Sequence, residues 1–156
     1  MNKKNNIDQK VVNDFGKECK AFIHQHIDES LLDSAFDSYF HIFPFDRLKN
    51  AEGFDMGCGS GRWAKLVASK VGFLNCIDPS DDAMQEAITN MSNFQNCYFE
   101  CADVENNSLK NESQDFGYSL GVLHHIPDTA LALKACSRKL KSGAPFLLYL
   151  YYRFDN

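Results

Sequence analysis

The sequence predicts an α/β fold, a doubly wound parallel sheet with an N-terminal helical cover. Three observations carry that reading. From Gly53 onward, strand-length apolar runs alternate with helical segments across short connections. The runs are continuously apolar rather than alternating, as in strands covered on both faces. A glycine-rich loop, Gly57-Cys58-Gly59-Ser60-Gly61, joins the first run to the first helix behind it. Right-handed crossovers turn such a chain into a doubly wound sheet. Ligands then bind beyond the carboxyl ends of the strands, so the chemistry belongs to residues that follow each strand.

Before the first strand the texture differs. Ile7 to Ile27 carries apolar residues at a loose helical spacing, and Gly16 weakens that helix by about 1 kcal/mol relative to Ala. Ser30 opens a second helix whose stripe is Leu31, Leu32, Ala35, Phe36, Tyr39 and Phe40, and Pro44 ends it. Two such helices are too thin for a core of their own. Residues 1–49 therefore read as a cover and residues 50–156 as the sheet domain. Gly53 to Met56 is strand one, and Arg62 to Lys70 the helix after the glycine loop. Val71 to Asp78 is strand two, with Ser80 as N-cap of the next helix. Cys97 to Cys101 is strand three, followed by a polar loop, and Asp115 to Leu123 is strand four. Asp128 or Thr129 caps the last helix, whose final turn is basic as the helix dipole prefers, and Gly143 closes it. Ala144 to Tyr152 is strand five.

The 156 residues suit one domain, able to bury roughly 70% of its unfolded surface. With 44% hydrophobic and 24% charged residues, disorder, collagen and coiled coil are excluded. Sixteen basic against 21 acidic side chains leave a net charge of −5, without the basic footprint of a nucleic-acid binder. Six cysteines form no C-x-x-C pair, and several sit in apolar runs, so they read as buried thiols rather than metal ligands or disulfides. The first ten residues have no apolar targeting core, and no window reaches the ~18 apolar residues of a membrane span. A cytoplasmic protein is expected.

The motifs follow the strands. Asp55-Met56-Gly57-Cys58-Gly59-Ser60-Gly61 has D-x-G-x-G-x-G spacing. Arg62 stands where a dinucleotide fingerprint needs its third glycine, which argues against a nicotinamide oxidoreductase. The glycines allow close backbone approach, and the helix start behind them suits an anionic group. Asp55 repels a pyrophosphate and suits a cationic amine, so a ligand with both carboxylate and ammonium fits this loop. Asp78 ends strand two, where an acid accepts the hydroxyls of a ribose; its other reading, a helix cap, is weakened by Ser80. Ala102-Asp103-Val104 follows strand three, and Asp103 is placed either to accept an exocyclic amine such as adenine's or to sit as a solvated loop acid. After strand four come Leu120, Gly121 and the pair His124-His125.

In that order, these stations resemble class I S-adenosylmethionine-dependent methyltransferases of the small-molecule type, over roughly residues 50–152. DMGCGSGRW resembles their first motif, IDPSDDAM the second, CADV the third and DFGYSLGVLHHIPD the fourth. LKSGAPFLLYL is similar to the stretch before strand five, with Ser142 in place of the usual proline. The resemblance implies a Rossmann-like sheet of order 3-2-1-4-5, ending in an antiparallel pair, strands six and seven, that this chain lacks. C-terminal truncation, or a partner on the open edge of strand five, is the resulting expectation. It implies S-adenosylmethionine as cofactor, with Gly57, Cys58, Gly59 and Gly61 in the methionine-side loop and Asp55 near the amino group. Asp78 and Pro79 then lie at the ribose, Ala102, Asp103 and Val104 at the adenine, and the Leu120 backbone at the methionine end.

The reaction expected is in-line transfer of a methyl group to an O, N or C nucleophile of a small molecule, helped mainly by proximity and orientation. His124 and His125 are the candidate bases where the nucleophile carries a proton, the alternative being that they line or cap the cleft. No metal, membrane or nucleic acid is expected; self-association through strand five is. Phe15, Tyr39, Phe40, Tyr151 and Tyr152 either wall an acceptor pocket or belong to the core. A non-catalytic domain that binds the cofactor, or a partner, is the alternative.

Overall fold

The computed structural model describes residues 6–22 and 29–151. Helix α1 spans Gln9–Phe22 and α2 Glu29–Phe40. The strands are β1 Glu52–Met56, β2 Phe73–Asp78, β3 Cys97–Cys101, β4 Phe116–Leu120 and β5 Phe146–Tyr149. Between them lie α3 Arg62–Ala68, α4 Asp81–Asn90 and α5 Thr129–Lys139. Among the described residues every strand pairing is parallel, as the apolar runs predict, and the sheet order is 3-2-1-4-5, as the resemblance implies.

The pattern of apolar runs has its cause in that order. The inner strands β1, β2 and β4 each bury four residues, whereas the edge strands β3 and β5 are half-exposed. On one face Leu74, Cys76, Phe116 and Tyr118 pack with Phe36 and Phe40 of α2, Val67 of α3 and Ala87 of α4. On the other, Phe54, Met56 and Ile77 pack with Ala132 and Cys136 of α5. Phe40 is thus core, 5.3 Å from the Tyr118 ring, while Tyr39 meets Trp63 and Tyr149 edge-on. Tyr152, and the side chain of Phe15, fall outside the described residues.

β1 and β4 interlock by exchanging ring for glycine. Gly53 pairs with Phe116 and Phe54 with Gly117 in register. A Cβ on Gly53 would come within 2.5 Å of the Phe116 ring, and one on Gly117 would strike Phe54. Each phenylalanine lies flat over its neighbour's glycine, on opposite faces of the sheet.

Helix starts follow the sequence. Ser80 Oγ accepts the Ala83 N–H at 3.3 Å, and Asp128, rather than Thr129, caps α5 by accepting the Leu131 N–H at 2.9 Å. Three ends differ from expectation. Helix α5 stops at Lys139, not at Gly143, because Leu140 turns extended to bridge Gln114. β4 stops at Leu120 because Gly121 takes φ +74, and Leu123–His125 forms a short 3-10 turn instead. β5 ends at Tyr149, whose carbonyl accepts the Gly121 N–H at 2.8 Å. Beyond that bond its neighbour has turned away, so Leu150 and Tyr151 are no longer strand. The buried-thiol expectation holds for Cys58, Cys76 and Cys136, but Cys97 is half-buried and Cys101 exposed because β3 is an edge.

Candidate functional site

The site begins where β1 runs into the glycine loop. Gly57, Gly59 and Gly61 all take positive φ, of 82°, 54° and 80°. At Gly57 the requirement is double, since a Cβ would also lie 2.5 Å from Val122 Cγ1. The Gly57 and Cys58 N–H groups donate to the Ile77 carbonyl at 2.7 and 3.1 Å, folding the loop across the end of β2.

Asp78 holds that fold together. Its Oδ2 accepts the Gly59 N–H and its Oδ1 the Ser80 N–H, both at 2.9 Å. One carboxylate thus joins the glycine loop to the start of α4. Burial raises its pKa above the usual carboxylate value, although the two amides pull the other way. Each oxygen keeps a further lone pair for a hydroxyl donor.

Around these residues a cleft holds about 850 Å³ of empty space, part of it open to solvent. Of the residues singled out in the sequence, Gly57, Gly59, Asp78, Pro79, Ala102, Asp103, Val104 and His125 line it. Asp55, Cys58, Gly61, Leu120 and His124 are not among its lining residues.

Each of the latter has a visible structural setting. Gly61 lets α3 start against α4, for a Cβ there would lie 2.9 Å from Met91 Sδ. Cys58 is buried, its thiol turned towards the Gly59 carbonyl at 3.7 Å. Leu120 packs against the core beside Tyr118. Asp55 is buried within the sheet, paired in register with Cys76 and Tyr118, and its Oδ2 has no hydrogen-bond partner among the described residues. Burial first, and the Asp78 charge as a smaller cause, push its carboxyl up to about 8 against the opposing influence of the Tyr118 hydroxyl.

Asp103 lines the cleft but already has internal duty. Its Oδ1 accepts the Glu105 and Asn106 N–H groups, both at 2.8 Å, and the Asn106 amide reaches Oδ2 at 3.0 Å. It shapes the loop after β3 whatever else it binds.

The N-terminal segment, read from the sequence as a cover, closes the cleft through residues that the sequence reading did not single out. Asn6, Ile7, Asp8, Val11 and Val12 line it from above. Two contacts hold them there. Gly16 is buried against the start of α4, where a Cβ would collide with Ser80 Oγ. Asn6 exchanges a pair of hydrogen bonds with the backbone of Asp128, at 2.9 and 2.7 Å. The available signal was Gly16: a glycine inside a helical stretch marks a close approach as readily as a weak helix.

Beside the cleft, the rings of His124 and His125 lie 4.0 Å apart, and Tyr151 stands edge-on to His124 at 4.8 Å. Among the described residues neither ring nitrogen of His124 has a hydrogen-bond partner, although both are buried. Burial, then His125, lowers its pKa, so its ring is neutral near pH 7.

Residues 54–148 match the family described as methyltransferase domain, which covers more than half of the chain. The chain belongs to that family, with the class I S-adenosylmethionine-dependent architecture. It is 26% identical over 97 residues to a ubiquinone biosynthesis O-methyltransferase of Coxiella burnetii, covering 62% of this chain and 42% of that one. It is 30% identical over 122 residues to a tRNA U34 carboxymethyltransferase of Aliarcobacter butzleri, covering 75% and 40%. Its fold superposes with TM-score 0.68, at 14% identity, on a Haemonchus contortus phosphoethanolamine N-methyltransferase solved with phosphoethanolamine and S-adenosylhomocysteine. That match covers 90% of this chain and 32% of the other. The chain thus spans about two-fifths of the length of these curated relatives.

Proposed function

Taking that membership as premise, we propose that the chain binds S-adenosylmethionine in this cleft and transfers its methyl group to a small-molecule acceptor. The observation that carries the reading is Asp78, which braces the glycine loop with both oxygens while lining the cleft. The residues present fit the cofactor. Positive-φ Gly57 and Gly59 leave a backbone surface without side chains for the methionine end. Asp78 accepts the ribose hydroxyls. Pro79, Ala102, Val104 and Ile126 supply apolar surface for the adenine, with Asp103 at its amine. Asp55 acts from behind the loop through its buried carboxyl.

The bound sulfonium supplies an already activated methyl group. The chain's own task is then to orient the donor, admit the acceptor in line and exclude water, which the apolar underside of α1 favours. The likeness to a tRNA-modifying enzyme favours a second reading, an RNA acceptor. The net charge of −5 weighs against it.

Isothermal titration of the folded chain with S-adenosylmethionine and S-adenosylhomocysteine tests the reading. Saturable binding that Asp78→Ala abolishes is the expected result; a folded chain that binds neither overturns it. Methyl transfer to a metabolite panel, compared with transfer to unmodified tRNA, separates the two acceptor classes. Binding without any transfer would leave a non-catalytic binding domain.

A further inference from the structure

Resting on that cofactor reading, we propose that the acidic lining of the cleft selects the cationic methyl donor over the neutral thioether left after transfer, and that Asp8 of the N-terminal roof is a specificity-determining residue for that choice.

The walls of the cleft are mainly apolar, with Val11, Val12, Ala83, Val104, Leu123 and Ile126 among them. Its charged lining has one sign. Asp8, Asp78 and Asp103 reach it from three separate parts of the chain: just before α1, the end of β2 and the loop after β3. Among the described residues no lysine or arginine lines the cleft, and His125 is the one lining side chain that can become a cation. Charges of one sign set in walls of low dielectric focus their field into the space between them.

S-adenosylmethionine and S-adenosylhomocysteine share a carboxylate and an ammonium. They differ by one methyl group and by the positive charge on sulfur. Apolar walls alone favour the neutral thioether, because taking an unpaired charge out of water costs free energy. Asp8, Asp78 and Asp103 oppose that cost and reverse the order. Once the methyl group has left, the three carboxylates have no cation at sulfur to attract, so the lining that gathers the donor also lets the product go.

Asp8 is the member of the three that can be tested cleanly. Asp78 braces the glycine loop and Asp103 shapes the loop after β3, so replacing either disturbs the floor of the cleft. Asp8 belongs to the roof. Its Oδ1 accepts the Lys10 N–H at 3.0 Å and the Val11 N–H at 3.3 Å, which caps α1 and holds the carboxylate at the rim, exposed yet lining the cleft. Asparagine caps a helix about as well as aspartate, so Asp8→Asn removes the charge and keeps the roof.

The test is isothermal titration of the whole chain at one fixed pH, in about 50 mM and about 500 mM salt, a span over which screening sets in. At low salt S-adenosylmethionine is expected to bind at least about fivefold more tightly than S-adenosylhomocysteine, with the ratio shrinking at high salt. S-adenosylhomocysteine sulfoxide, which carries a neutral oxygen where the donor has its methyl group, should bind like the thioether; binding like the donor would show that size and not charge decides, and would overturn the proposal. Asp8→Asn should weaken S-adenosylmethionine about 2- to 5-fold, the usual worth of an exposed charge, and leave S-adenosylhomocysteine within about twofold. Asp8→Ser, with another capping residue, repeats the comparison where the asparagine variant does not fold, as judged by thermal melting. Equal or tighter binding of S-adenosylhomocysteine, or an equal loss of both ligands in the Asp8 variant, overturns the proposal and leaves the cofactor reading standing. A folded chain that binds neither ligand overturns the cofactor reading, and this proposal with it.

Discussion

At the scale of single residues, the two acids of the site do opposite kinds of work. Asp78 is a charged acceptor for two amides, Gly59 and Ser80. Asp78→Asn puts an NH2 group opposite one of those N–H donors. Hydrogen bonds to charged groups contribute about 1.5–3 kcal/mol, so affinity for S-adenosylhomocysteine should fall about 10- to 100-fold by calorimetry. Asp55 is instead buried, with its carboxyl pushed up to about 8. In the unfolded chain the same group titrates near 3.9. Between those values the folded state holds a proton that the unfolded state has lost, so stability declines as pH rises from about 4 to about 8. The slope reaches at most about 1.4 kcal/mol per pH unit, and Asp78, also raised, adds in the same direction. Denaturant midpoints measured from about pH 5 to about pH 8 should therefore fall, and Asp55→Asn should flatten the trend. A variant with the parent's slope would show that Asp55 is ionised in the fold.

At the scale of elements, packing between neighbours depends on where side chains are missing. Gly117 lies under the Phe54 ring in the middle of the sheet. Gly117→Ala overpacks that contact and should lower stability by about 1–3 kcal/mol, seen as a drop in the denaturation midpoint at unchanged m. The elements themselves were largely legible. The parallel sheet followed from the alternation and its strand order from the family resemblance, the caps at Ser80 and at Asp128 or Thr129 from residue chemistry, and the glycine loop from positions that need φ > 0. What escaped was set by partners distant in sequence. Gly16 reads locally as a helix defect, and its reason, contact with Ser80, exists only once α1 lies on α4. The extent of β5 depended on where Gly121 turns β4 away, and the end of α5 on a bridge from Leu140 to Gln114. Asp55 was expected at the ligand because its motif position suggested it, but strand alternation points it into the sheet beside Tyr118.

At the scale of the whole molecule, the cleft joins parts that are far apart in the chain. Its floor comes from the strand ends and its roof from Ile7, Val11 and Val12. The roof is fastened twice: by α1 against α4, and by Asn6 to the backbone of Asp128 across 122 positions of sequence. Asp128 also caps α5, so the roof is tied to the helix that covers the opposite face of the sheet. Asn6→Ala removes both bonds of that tie while leaving the cap in place. Such hydrogen bonds contribute about 0.5–1.5 kcal/mol each, so losing both should speed release of S-adenosylhomocysteine about 5- to 150-fold in stopped-flow chase. The melting temperature of the ligand-free chain should barely move, since the core clusters on both faces do not include Asn6. Gly16→Val, which pushes α1 off α4, should accelerate release further and expose the α1 amides to hydrogen exchange. If both variants released ligand at the parent's rate, the N-terminal segment would be a bystander, and access would be governed by the Gly121 side of the cleft instead.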